Sequence, residues 1–187
     1  MLINPLINKM CSLRLQAMAK AFTEQCESPA ITELSFEDRL GLLIDIEVTS
    51  RENRRLQQRL RKARLQQSAC MEDIDLRSPR NLDPSLLATL RQCYWVPSHN
   101  NILIVGPCGT GKTFLACALA HKACLSGYTS VYHRMGRLLS ELQNSKGDGQ
   151  YARRMAELAK TDVLILDDFG LAPLRDEPRH DLLEILD

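Results

Sequence analysis

Residues 106–113 have the types and the spacing of a phosphate-binding loop. They read Gly-Pro-Cys-Gly-Thr-Gly-Lys-Thr and fit the pattern G-x-x-x-x-G-K-[ST], the Walker A motif. Glycine lets backbone N–H groups approach a polyphosphate without a Cβ in the way. Lys112 adds a positive charge for the β- and γ-phosphates, and the Thr113 hydroxyl is a ligand for a bridging Mg²⁺. The predicted cofactor-binding residues are Gly106, Pro107, Cys108, Gly109, Thr110, Gly111, Lys112, Thr113 and Phe114.

Two acidic residues, Asp167 and Asp168, end an apolar run that begins at Val163. The run predicts a buried strand, which would deliver Asp167 to the metal side of the phosphates. Asp168, next to it, would polarise the attacking water. We therefore predict Thr113 and Asp167 as metal ligands, and Asp167, Asp168 and Lys112 as catalytic residues.

Strands and helices must position these side chains. Residues 101–105 are apolar and β-branched, and they predict a buried parallel strand that enters the loop. Residues 114–126 have helical periodicity and stop before Gly127, so they predict the helix that leaves the loop. The N–H groups and the dipole at the start of this helix would add to phosphate binding. The other elements expected in this half are a strand at 129–132 and helices at 134–143, at 150–160 and from 177.

Helical patterns dominate the first part of the chain. An amphipathic helix is predicted from Asn4 to about Gln25, and Ser35 and Asp38 have the spacing of a capping box for a helix to about residue 68. Residues 69–83 are rich in turn formers, with Pro79 among them, and Asp83 is expected to cap a short helix. The predicted organisation is a helical N-terminal domain (1–68), a linker with a short helix (69–97) and a partial P-loop domain (98–187).

The segment 51–64 contains seven basic residues and a single acidic residue, Glu52. Arg51, Arg55, Arg59 and Lys62 share one helical stripe, from which arginines can fork onto the phosphate oxygens of DNA. A solvated helix face explains the pattern equally well, so both interpretations stay open. The residues proposed for DNA contact are Arg51, Arg54, Arg55, Arg59, Arg61, Lys62 and Arg64. Four later basic residues are interpreted as surface charge, with an extended DNA path as the alternative: Arg134, Arg137, Arg153 and Arg154.

The amino-acid composition indicates the cellular compartment of the protein. The chain has 187 residues and a net charge of +1, so its total charge selects no partner. Its seven cysteines are scattered without a Cys-x-x-Cys pair, which argues against a disulfide framework or a zinc site and favours a reducing cytoplasm. Neither a signal-peptide core nor an apolar run of roughly 20 residues occurs. We expect a cytoplasmic protein without a membrane segment.

Several stretches resemble a known family. Residues 106–113, the run Thr-Asp-Val-Leu-Ile-Leu-Asp-Asp-Phe-Gly-Leu-Ala-Pro-Leu at 161–174 and the turn at 147–151 resemble the IstB-like ATP-binding proteins. Residues 35–40 and 51–56 extend the resemblance over essentially the whole chain. These proteins are helper ATPases of bacterial insertion sequences, related to DnaC-type helicase loaders within the AAA+ class. The resemblance implies an α/β P-loop NTPase domain of AAA+ type, preceded by a small all-α domain.

The resemblance also implies a function. It implies an ATPase that uses ATP and Mg²⁺, forms a homo-oligomer on double-stranded target DNA and engages a transposase. By position, Asp167 corresponds to the Walker B metal residue and Asp168 to the catalytic acid. Many AAA+ ATPases have glutamate at the latter position, so the shorter Asp168 suggests slow turnover. Cys108 stands at a variable loop position, and we interpret it as inert rather than redox-active.

Family members continue beyond residue 187 with two further strands, a sensor residue and an arginine that reaches a neighbouring subunit's nucleotide. Arg175 and Arg179 lie before that region, so neither is assigned those roles. We therefore expect an incomplete parallel sheet, an exposed edge at 101–105 and impaired hydrolysis, as in a truncated product. Two alternatives stay open: a helicase loader that grips a replicative helicase, and a non-hydrolytic module that binds nucleotide, DNA or a partner.

Overall fold

A computed structural model describes residues 3–28, 34–75, 82–171, 173 and 176–186. Pro79 of the expected linker, Arg175 and part of the 161–174 run lie outside the described residues. In chain order the described elements are α1 (Ile3–Ser12), α2 (Gln16–Glu27), α3 (Phe36–Ala63), a 3₁₀ turn (Met71–Asp73), α4 (Pro84–Arg91), α5 (Lys112–Leu125), β1 (Ser130–Arg134), α6 (Met135–Gly147), α7 (Tyr151–Leu158), β2 (Val163–Asp167) and α8 (Asp176–Leu186).

The chain forms two compact units, Met1–Gln57 and Gln58–Asp187. Their division falls inside α3, so the predicted domain boundary at residue 68 stays a prediction. The described elements of the first unit are α1, α2 and most of α3. None of the helices in the described ranges is long and apolar enough to cross a bilayer.

The single helix predicted from Asn4 to about Gln25 is wrong, because α1 ends at Ser12 and α2 begins at Gln16. Arg14 adopts a left-handed backbone conformation with φ of 61°. Its N–H donates to the Cys11 carbonyl at 3.0 Å, and the next N–H donates to the Met10 carbonyl at 2.9 Å. This bonding closes a helix end in the manner of a Schellman motif, usually with glycine at the left-handed position.

Helix α3 begins as its sequence predicts. The backbone N–H of Asp38 donates to Ser35 Oγ at 3.1 Å, and Ser35 Oγ donates to the Asp38 carboxylate at 2.7 Å. The helix ends at Ala63, earlier than the predicted residue 68, because Arg64 takes a left-handed φ of 48°. Within the first unit, buried Glu47 on α3 accepts hydrogen bonds from the Met18 N–H on α2 and from Arg51.

The second unit contains a small parallel sheet, which makes the fold α/β. Strands β1 and β2 pair in the register Ser130↔Val163 to Arg134↔Asp167. Asp162 fixes this register at one end, because its carboxylate accepts from both the N–H and the hydroxyl of Thr129 at 2.7 Å. Helix α5 packs near the sheet through small, fully buried side chains, which allow close approach. These are Cys117, Ala118, Ala120, Ala123 and Cys124.

The prediction of a buried strand at residues 101–105 is wrong. The segment has no strand structure, and Leu103 and Val105 are 81% and 82% exposed. Ile102 and Ile104 do pack, against a core cluster that includes residues of α5. A strand requires hydrogen-bonding neighbours, and the described sheet consists of β1 and β2 alone. The segment therefore runs along the core without joining the sheet.

The predicted short helix after the linker is confirmed as α4. Asp83 is its N-cap, since the Ser85 N–H donates to Asp83 Oδ1 at 2.8 Å. The helices predicted at 134–143 and 150–160 are confirmed as α6 and α7, and the one predicted from 177 as α8, with shifted ends.

Candidate functional site

The phosphate loop has the backbone that its glycines predict. Gly109 and Gly111 have φ of 81° and 89°, a region that residues with a Cβ rarely adopt. Gly111 precedes α5, and no side chain caps the first turn of that helix. The N–H groups of this turn are therefore free of side-chain caps and available to an anion.

Lys112 has a partner inside the loop. Its Nζ donates to the Pro107 carbonyl oxygen at 2.7 Å, and Thr110 Oγ1 donates to the same oxygen at 2.9 Å. The loop thus closes on its own carbonyl group. A bound phosphate would compete with Pro107 for the lysine ammonium group.

Thr113 and Asp167, which are far apart in the sequence, meet in the structure. Thr113 Oγ1 donates to Asp167 Oδ2 at 2.8 Å. The first turn of α5 positions the hydroxyl, and the end of β2 positions the carboxylate. The structure therefore brings the two predicted metal ligands together at one place.

Asp167 is held by three hydrogen bonds, from α5, from β1 and from the backbone of the next residue. Besides Thr113, the Tyr132 hydroxyl on β1 donates to Asp167 Oδ2 at 2.7 Å, and the Asp168 N–H donates to Oδ1 at 2.9 Å. Burial by itself raises the pKa of Asp167, but these hydrogen bonds and the charge of Arg134 outweigh it, so the pKa lies below its usual value. Asp167 is thus an oriented, ionised carboxylate.

Tyr132 is a site residue that the sequence analysis missed. Its hydroxyl also contacts the Gln66 amide, which follows the end of α3. Burial and the hydrogen bond to Asp167 raise the pKa of Tyr132 to about 12, so the hydroxyl keeps its proton at neutral pH. The period of two in a strand puts Tyr132 on the same face of β1 as Arg134, the register partner of Asp167. The alternation of side chains along a strand was therefore the sequence feature that could have pointed to Tyr132.

Asp168, the predicted catalytic acid, is exposed and lies beside a cation. It has a left-handed φ of 57°, which is uncommon for a residue with a Cβ. Arg134 Nε lies 3.7 Å from Asp168 Oδ2, and both side chains are about half exposed. The Asp168 carboxylate therefore lies beside Arg134, the last residue of β1.

A cleft of about 340 Å³ adjoins the loop. Part of its wall comes from the segment that the sequence analysis interpreted as a linker, namely Asp73, Ile74, Asp75 and Leu82. Phe114, predicted to bind the cofactor, also lines the cleft. The cleft has apolar walls near α5 and cationic Lys112 at its loop end, a division suited to a nucleotide's base and phosphates.

The donor set at Thr113 and Asp167 fits Mg²⁺. This ion prefers oxygen ligands and usually binds through one or two carboxylates together with substrate phosphates and waters. Among the described residues, no group of three or more His, Cys, Asp or Glu side chains could form a metal cage by itself. The pair therefore suits a metal that arrives with a polyphosphate.

The seven basic residues proposed for DNA contact do not form one free surface. Arg51 bonds to Glu47 at 2.9 Å and to the Arg14 carbonyl at 3.3 Å, and Arg59 donates to the Cys124 carbonyl at 3.0 Å. These two arginines are engaged within the protein. Arg54 and Arg55 are exposed on α3, whereas Arg61, Lys62 and Arg64 line a second cavity.

Comparison with known proteins gives a consistent result. A family model described as IstB-like ATP binding protein matches residues 8–187. A protein named for ATP binding in insertion sequence IS1162 of Pseudomonas fluorescens is 48% identical over 182 residues, which cover 97% of this chain and 79% of that protein. An insertion-sequence ATP-binding protein of Sinorhizobium fredii is 45% identical over 187 residues, 100% of this chain and 76% of the relative. One from Mycobacterium tuberculosis is 29% identical over 179 residues, 96% and 71%.

Proposed function

This chain belongs to the IstB-like ATP binding protein family, and from that membership we propose that it binds ATP with Mg²⁺ as a helper protein of an insertion sequence. The AAA+ resemblance noted in the sequence agrees with this proposal. The observation that carries it is the 2.8 Å contact between Thr113 Oγ1 and Asp167 Oδ2. This contact joins the phosphate loop to the acidic strand end, as a polyphosphate–metal site requires.

The roles of the side chains follow from their surroundings. Lys112 exchanges the Pro107 carbonyl for the β- and γ-phosphates, and the loop N–H groups bind the remaining phosphate oxygens. Thr113 and Asp167 hold the metal, while Tyr132 keeps the Asp167 carboxylate in position. When bound, Mg²⁺ neutralises charge on the phosphates.

Asp168 is proposed to orient and polarise the water that attacks the γ-phosphate. In the structure its carboxylate lies beside Arg134 instead, at 3.7 Å. Hydrolysis therefore requires Asp168 to leave this contact, which is compatible with slow turnover. Sustained ATP turnover by the purified chain would exclude the alternative of a non-hydrolytic module.

We extend the proposal to DNA and a transposase, because the relatives at 48% and 45% identity are both named for insertion sequences. Exposed Arg54 and Arg55 are candidates for backbone phosphate contacts. Arg51 and Arg59 are weaker candidates, since both already bond within the protein. A homo-oligomer on double-stranded target DNA and a cytoplasmic location remain parts of the proposal. A pull-down that recovers a replicative helicase instead of a transposase would favour the helicase-loader alternative.

Isothermal titration with ATP tests the nucleotide site. Lys112→Ala should weaken ATP binding roughly 10- to 100-fold, because hydrogen bonds to charged groups contribute about 1.5–3 kcal/mol. The matched control is Lys122→Ala in the last turn of the same helix, which should bind ATP within about twofold of the wild type. Equal ATP affinity for wild type and Lys112→Ala would contradict the assignment.

A further inference from the structure

A second cavity of about 470 Å³ lies in the unit Gln58–Asp187. It shares no lining residue with the cleft at the phosphate loop. Its walls come from the end of α3 and the segment after it, from β1, α6 and α7, and from Thr161. It is therefore a separate site, for which the ATP proposal gives no role.

Cationic side chains concentrate on this cavity. Arg61, Lys62 and Arg64 approach it from one side, and Arg154 on α7 approaches it from another. Within the part of the chain that the structure describes, Arg61, Lys62 and Arg64 form no ion pair. Arg154 reaches Glu157 only at 4.0 Å, and both side chains are about half exposed, so this pair is weak. All four cations are available to an anion.

The two acids of the lining are already compensated. Glu141 accepts a hydrogen bond from Arg137 at 2.9 Å, and Glu157 accepts one from Arg153 at 3.2 Å. Neither of these arginines lines the cavity. The acids are thus neutralised by cations outside the lining, and the cations of the lining determine its charge.

The floor of the cavity is apolar, and His133 adds a polar group beside it. Leu138 and Leu142 are buried, and Val131 and Leu158 are half-buried. Burial lowers the pKa of His133, and the nearby positive charges of Arg64, Arg137 and Arg154 lower it further. The negative charge of Glu141 raises the pKa but does not reverse the shift. A neutral imidazole can both donate and accept a hydrogen bond.

We propose that this cavity binds the sugar–phosphate backbone of a nucleic acid strand, with the phosphate on Arg61, Arg64 and Arg154 and the sugar against the leucine floor. The inference rests on the proposed DNA function and assigns it a site. Arginine forks match phosphate oxygens, and a volume in the range of roughly 300–1,000 Å³ suits a ligand unit of nucleotide size. Basic Arg154, interpreted as surface charge from the sequence, becomes part of the DNA path.

Charge-matched variants test the inference. Arg154→Gln and Lys160→Gln each remove one positive charge, but Lys160 is exposed and does not line the cavity, whereas Arg154 does. With a short fluorescent DNA duplex, anisotropy should show affinity about 5- to 10-fold weaker for Arg154→Gln and for Arg64→Gln. Their slopes of log K against log salt should fall by about 0.7–0.9, one phosphate contact. Lys160→Gln should stay within about twofold of the wild type, and Arg154→Lys should keep most of the wild-type slope.

The outcomes separate this inference from the proposed function. If Arg154→Gln and Arg64→Gln bind the duplex like Lys160→Gln while the wild type binds it well, the cavity is not the site and the proposed function stands. If the wild type binds no duplex, both the DNA function and this inference fail. A glutamate-rich peptide that fails to displace the duplex from the wild type supports the proposal, because the cavity then selects a phosphate backbone over carboxylates. A peptide that binds through Arg154 when the duplex does not would overturn it. ATP affinity should be unchanged in both cavity variants, which reports an intact fold and loop.

Discussion

The two halves of the candidate site are built differently. The acidic half belongs to β2, whose five residues pair with β1. Its Asp167 receives hydrogen bonds from α5, from β1 and from the Asp168 N–H. The loop half follows residues 101–105, which have no strand partner and expose Leu103 and Val105. Apart from the Thr113–Asp167 contact, the side-chain hydrogen bonds of the loop are local, from Lys112 and Thr110 to one carbonyl.

This difference shows which half is preorganised. Asp167 is oriented without a ligand, because strand pairing and three hydrogen bonds hold it. The loop keeps its shape through positive-φ glycines and helix α5, and its lysine has to change partner on binding. We expect mutations in the strand half to affect stability and metal use together, and mutations in the loop half to affect phosphate affinity alone.

The largest effect is expected from Asp167→Ala. This change removes a proposed metal ligand, so the free energy of ATP binding in the presence of Mg²⁺ should weaken by about 2–3 kcal/mol, roughly 30- to 150-fold in affinity. With EDTA, the wild type and the variant should bind ATP within about threefold of each other. Calorimetric titrations under both conditions measure this. An equal loss in EDTA would show that Asp167 acts on the loop rather than through the metal.

Packing variants compare the two halves without a ligand. Val163→Ala, at the buried first position of β2, should destabilise the protein by about 1.5–2.5 kcal/mol through lost burial and the cavity left behind. Leu103→Ala, in the exposed segment, should stay within about 0.5 kcal/mol. Urea unfolding followed by circular dichroism gives both values. A large cost for Leu103→Ala would mean that residues 101–105 are packed in solution.

Tyr132→Phe should have a smaller effect. It removes the hydroxyl that positions Asp167, a hydrogen bond that contributes about 1 kcal/mol, so Mg²⁺-dependent ATP affinity should fall about fivefold. Tyr128→Phe is the matched control, because among the described residues the Tyr128 hydroxyl makes no hydrogen bond. If both variants bind ATP alike, the hydroxyl of Tyr132 does not orient the carboxylate.

Arg134→Gln should have the smallest effect on stability. The Arg134–Asp168 pair is half exposed and 3.7 Å long, so it contributes about 0–0.5 kcal/mol. Thermal unfolding at low and high salt should give nearly the same Tm difference between this variant and the wild type. A shift of several degrees would place the pair among the groups that hold the site together.

Local features of the site were predictable from the sequence, and non-local ones were not. The glycine loop depends on φ freedom and on residues that are neighbours in the chain, so its pattern is visible without a fold. The helix caps Asp83 and Ser35 were predictable too, because each bonds to a residue two or three positions further along the chain. The strand at residues 101–105 failed as a prediction because apolar β-branched residues indicate burial, whereas a strand also needs a partner.

Tyr132 and the second cavity required tertiary structure. The Tyr132–Asp167 contact depends on the register of β1 and β2, which the sequence pattern does not specify alone. The basic residues of α3 read as one stripe, but intramolecular bonds occupy Arg51 and Arg59. Arg154 and Arg64 meet only because α7 folds beside the end of α3. The spacing of residues in the sequence does not predict such contacts between distant segments.

The unpaired backbone at residues 101–105 should also affect the solubility of the purified protein. Among the described residues, β2 pairs with β1 and with no other strand. Leu103 and Val105, which directly precede the phosphate loop, are exposed to solvent. Such apolar segments with free N–H and C=O groups recruit strands from other molecules. Turbidity of purified samples should therefore rise with protein concentration, and Val105→Lys should extend their shelf life by placing a charge in the segment.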